Sequence, residues 1–62
     1  MDPTAAMDVA MDESRDREER SWSAEGLIDW LVGGGFMPFG LPDSERASLI
    51  SQLRPIVAMG AP

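Results

Sequence analysis

Seven side chains, Thr4, Ser14, Ser21, Ser23, Ser44, Ser48 and Ser51, are the hydroxyl nucleophiles that this chain offers. A serine or threonine hydroxyl attacks only when a neighbouring base takes its proton. The sequence has no His, Lys or Cys, so neither an imidazole nor an amine is present to do so. Carboxylates are plentiful: eleven Asp and Glu stand against five Arg. A carboxylate pair works as general acid and base only where a cleft shifts one pKa. Most of these acids lie in the first twenty residues or at helix starts, where capping explains them.

Ligand chemistry is as sparse. Without His or Cys, a zinc or other transition-metal site would need carboxylates alone, a poor match to those ions. Asp12-Glu13-Ser14-Arg15-Asp16 lacks the alternation and the glycine of a calcium loop. Gly35 to Gly40 has glycines at phosphate-loop spacing, but no Lys follows and no strand precedes. The sequence therefore reads as a non-enzyme with no catalytic residue, no metal and no cofactor.

The elements that would position any functional residue are few. Sixty-two residues allow one small domain, marginal without a staple, and no disulfide is available. The chain divides near Arg20. Residues 1–20 carry seven acids and three Arg, with Met, Ala and Val9 as their apolar content. Asp2-Pro3 suits a helix N-cap followed by proline at the first helical position. Glu13/Arg17 and Asp16/Arg20 have the favoured i, i+4 order. Met7, Ala10, Met11 and Ser14 form a weak stripe. This arm is expected to be nascent helix or a solvated tail.

Residues 21–62 hold every Trp, Phe, Leu and Ile. Ser23 is an N-cap candidate, with Trp22 and Leu27 at hydrophobic-staple spacing. The expected helix runs over 24–32, with Leu27/Leu31 and Ile28/Val32 on one broad face and Gly33 ending it at positive φ. A third helix is expected over 43–54, capped by Asp43, with Ala47, Ile50, Leu53 and Val57 inward, Leu49 and Ile56 flanking them, and Pro55 stopping it or starting one short turn. The expected fold is small and all-α: a short helix, a Gly/Pro-rich apolar loop and a second short helix, preceded by the acidic arm.

The loop Trp30–Pro42 is the unusual feature. It has no charge, three consecutive glycines and both Phe residues. Two short helices cannot bury their own faces and Phe36, Met37 and Phe39 as well. Uncovered apolar surface marks a contact site, and Trp and Phe are common interface anchors. Trp22, Leu27, Trp30, Leu31, Phe36, Met37, Phe39, Leu41, Ile50 and Leu53 are the candidate contact residues. The expected function is that of a small accessory or adaptor protein docking on a larger protein, with self-association a form of the same reading. The alternative is an acidic inhibitor, of phage or mobile-element type, covering a basic surface of a nucleic-acid-binding protein.

A net charge of −6 argues against direct contact with nucleic acid or anionic lipid. No small-molecule substrate is evident. The N-terminus has neither the basic nor the apolar region of a secretory signal. The longest uncharged run falls short of the roughly 20 residues that span a bilayer. A cytoplasmic location is the expectation.

Overall fold

The computed structural model describes residues 1–60; the last two positions of the expected 21–62 module lie outside them. The fold is all-α, as the sequence implies. Helices α1 (Pro3–Met11), α2 (Arg17–Val32) and α3 (Arg46–Met59) are joined by a tight turn and by a loop with two 3₁₀ turns, Pro38–Gly40 and Asp43–Glu45. Helix α2 is the centre of the molecule, packed against both α1 and α3.

Helix α1 starts where the sequence places it. Asp2 Oδ1 accepts from the backbone N–H groups of Thr4 and Ala5 at 3.0 and 3.2 Å, and Pro3 has no N–H to satisfy. Met7 and Ala10 are buried. The helix ends at Met11, where Asp12 turns the chain: its carboxylate accepts from the N–H and hydroxyl of Ser14 and pairs with Arg15. Arg15 also pairs with Glu19 at 3.0 Å. The expected Glu13/Arg17 and Asp16/Arg20 pairs are not among the ion pairs of the described residues.

Helix α2 begins at Arg17, not at residue 24, and runs unbroken past residue 20. The local cap signal at Ser23 loses to tertiary bonding, because the Ser23 hydroxyl donates to the Ala6 carbonyl at 2.8 Å. Trp22 lies within the helix and faces solvent, so there is no staple. Ala24, Leu27 and Leu31 are completely buried.

Three further boundaries differ from expectation. Helix α3 starts at Arg46 rather than at residue 43, because Asp43–Glu45 forms a 3₁₀ turn and the Asp43 carboxylate accepts from the Arg46 side chain instead of capping the helix. Gly33 keeps right-handed geometry (φ −76°), and Gly34 takes the positive φ, 88°. Gly34 N–H donates to Leu31 O and Gly35 N–H to Trp30 O, the paired bonds of a Schellman turn. Helix α3 runs through Pro55 to Met59. Proline removes one backbone bond and crowds the preceding turn. Here Pro55 faces solvent, while Leu53 and Ile56 are buried on either side of it and hold the helix in register. The inward face of α3 is Leu49, Leu53 and Ile56, with Ile50 and Val57 partly buried and Ala47 exposed.

Each helix has one of its last-turn carbonyls met by a side chain from another helix. Arg20 Nε donates to Ala10 O at the end of α1 (2.9 Å). Arg46 Nη1 donates to Leu31 O at the end of α2 (2.8 Å). The Ser21 hydroxyl donates to Val57 O at the end of α3 (2.8 Å). These carbonyls lie in the last turn, where an α-helix leaves four without an intrahelical donor. The two arginines also face the negative end of the helix dipole.

Candidate interaction surface

The loop between α2 and α3 has a fixed backbone. Trp30, near the end of α2, donates its indole N–H to the Phe36 carbonyl at 2.9 Å. Its ring meets Phe36 edge to face, with centroids 5.3 Å apart and planes at 88°. Gly35 passes so close to the indole that a Cβ there would overlap Trp30 Cε2 and Nε1. Arg46 holds the same loop from α3. Its Nη1 donates to Gly35 O as well as Leu31 O, both at 2.8 Å, and its Nη2 pairs with Asp43 at 2.6 Å.

The loop then closes over α1, where the Phe39 N–H donates to Thr4 Oγ1 at 2.9 Å. Within Phe36–Phe39 the inner two residues, Met37 and Pro38, are buried and the outer two are exposed. Phe39 has a left-handed backbone, φ 55°, followed by Gly40 at 67°. A non-glycine residue there costs about 1–2 kcal/mol. The chain accepts that strain at a position where Phe39 projects into solvent.

The ten expected contact residues therefore divide by burial. Leu27, Leu31 and Leu53 are completely buried, and Met37 is buried with them. They form the monomer's core and are not part of its surface. Trp30 and Ile50 are partly buried and pack against that core. Trp22, Phe36, Phe39 and Leu41 are exposed. Phe36 (64% exposed), Phe39 (55%) and Leu41 follow α2 Val32 (68%) along one stretch of chain. Trp22 lies ten residues earlier on α2, about 15 Å along the axis.

Sequence reasoning missed Val32 as a surface residue and Arg46 as the loop's clamp. Arg46 carries no local signal beyond its charge, since its partners lie 11 and 15 residues away. Val32 was legible as the last turn before three glycines, where no following helix turn covers it.

The electrostatics are those of a solvated acidic surface. Asp12 lies below the usual carboxylate range because Ser14 donates its hydroxyl and its N–H to it, with Arg15 adding a smaller pull. Arg15 is pushed up by Glu19 and, less, by Asp12. Among the described residues no three carboxylates gather as a metal site would need. No helix of the described residues is long and apolar enough to cross a membrane. No family model, curated protein or solved structure matches this chain.

Proposed function

We propose that this chain is a small non-enzymatic accessory protein that docks on a larger protein through its aromatic loop. The observation that carries this reading is the exposure of Phe36 and Phe39 on a backbone held from α2, α3 and α1 at once. Disordered apolar residues lose entropy when a partner fixes them; residues already fixed lose less, and more of the contact energy appears as affinity. Val32 and Leu41 extend the apolar surface on either side. The proposed place of action is the cytoplasm.

The test is affinity capture from the source cell with the tagged full chain, beside the double variant F36S/F39S. Both side chains are more than half exposed, so the variant keeps its helicity and melts cooperatively. The expected result is a protein retained by the wild type and lost by the variant. A second copy of this chain would be revealed by sedimentation equilibrium as an oligomer that the variant dissociates. Capture unaffected by F36S/F39S, or a monomer that retains nothing, overturns the reading.

A further inference from the structure

Helix α2 leaves one face without a packing partner. Glu18, Trp22, Glu25 and Asp29 follow one another at intervals of four, three and four, which places them on one stripe, and all four are exposed. Trp22 is the most exposed large apolar side chain among the described residues, at 80%. It is flanked by carboxylates on its own stripe. Three surface hollows border the stripe. One is formed by Asp16, Glu18, Glu19 and Trp22. A second lies between Glu18, Ser21, Trp22 and Gly60. The third, of about 380 Å³, lies between Glu25, Ile28, Asp29 of α2 and Arg54, Val57, Ala58 of α3.

A helix face of carboxylates alone is an ordinary solvated surface. Two observations set this one apart. None of Glu18, Glu25 and Asp29 takes part in the ion pairs of the described residues, which occupy Asp12, Glu19 and Asp43 instead. The one cation lining these hollows is Arg54. And a Trp, the aromatic that binds cations best, stands in the middle of the row. A guanidinium can stack flat on the indole while its edge donates to a neighbouring carboxylate. The stripe from Glu18 to Asp29 is about 16 Å long, enough for three turns of a facing helix.

We infer that this open face of α2 is a second docking surface, and that its occupant is a basic protein segment placing one Arg or Lys on Trp22 and others on Glu18, Glu25 and Asp29. The inference goes beyond the aromatic-loop reading, uses a different face, and suits the basic-surface partner considered from the sequence. Like-charged partners are excluded by the same row, and oppositely charged ones are drawn to it at long range.

The experiment uses the ¹⁵N-labelled full chain and a short alanine-based peptide carrying arginines at i, i+4 and i+7, with its glutamine counterpart as control. Binding is followed by NMR and calorimetry at low and at physiological salt. The expected result is movement of the Trp22 indole signal and the Glu18–Asp29 amides, with the Trp30 indole and the Phe36–Leu41 amides unmoved. W22A weakens binding by about fivefold or more. W22L, which keeps apolar bulk and removes the ring face, weakens it similarly. E18Q/E25Q/D29N weakens it and flattens its salt dependence; D8N/E13Q/E45Q, which removes the same charge elsewhere, changes it less than about twofold. F36S/F39S leaves it unchanged, which separates this surface from the loop. Equal losses from the two charge-removing triples, or full affinity in W22A and W22L, would show general polyanion attraction and overturn the inference. So would binding of the glutamine peptide as tight as that of the arginine peptide.

Discussion

Replacing Gly35 by alanine isolates the contact that fixes the aromatic loop. Gly35 does not have a positive φ, so its backbone suits alanine. The obstacle is space alone, because the added methyl overlaps the five-membered and six-membered rings of Trp30. The indole must swing away, which breaks its bond to the Phe36 carbonyl and separates its edge-to-face pair with Phe36. The hydrogen bond contributes about 1 kcal/mol, and the aromatic pair about 0.5–1.5. Alanine restores about 0.4–1 by restricting the unfolded chain. The net loss is about 0.5–2 kcal/mol, out of the roughly 3–9 expected for a chain of this length. G35A should melt about 2–15 °C lower than wild type. Its near-ultraviolet circular dichroism should weaken as Trp30 loses its fixed setting. The decisive comparison is a double-mutant cycle with W30A. In the W30A background the methyl meets nothing large, and G35A should be neutral or mildly stabilising. An equal loss in both backgrounds would refute the reasoning, because the cost would then lie in the backbone.

Two other perturbations test the remaining parts of the scaffold. R46M keeps the aliphatic stem but removes donors to Leu31 O and Gly35 O, and should lower stability by about 2–3 kcal/mol in urea melts, with R46K intermediate because a single ammonium cannot reproduce the fork. Asp12 has a folded pKa below its ordinary 3.8, so its contribution to the α1–α2 turn is complete above that value and is lost as pH falls through the lowered one. The NMR signal of the Ser14 amide should accordingly shift in a titration whose midpoint lies below 3.8, and S14A should return that midpoint toward the ordinary value.

Much of this architecture was legible because it depends on short-range rules. Asp2-Pro3 caps α1 as read, the three glycines turn the chain, and the all-α class follows from the apolar periodicity. The errors share one cause. Ser23 behind Trp22 is a strong local start signal, but a serine within a helix can spend its hydroxyl elsewhere, and here the Ala6 carbonyl takes it. Pro55 is a strong local stop signal, but a proline on the solvent side of a helix anchored by Leu53 and Ile56 only removes one bond. The inward face of α3 also differs from the expected one: Leu49 and Ile56 are buried with Leu53, while Ala47 is exposed. For the contact residues, pattern identified which side chains are apolar but not which would find cover. Leu27, Leu31, Leu53 and Met37 close the core, and Phe36, Phe39 and Trp22 stay outside it.

The exchange of caps among the three helices makes their fates inseparable. Arg20 of α2 completes α1, Arg46 of α3 completes α2, and Ser21 of α2 completes α3. All three donors sit near the start of α2 or of α3, so opening either start releases a donor that another helix end needs and gives up bonds in two places. A chain this short has no reserve of buried surface with which to support a half-open form. The slowest amides of all three helices should therefore exchange with deuterium through one common opening, at the free energy of global unfolding. The result is a platform with few intermediate states, which keeps its outward aromatic residues in one fixed arrangement for as long as it is folded.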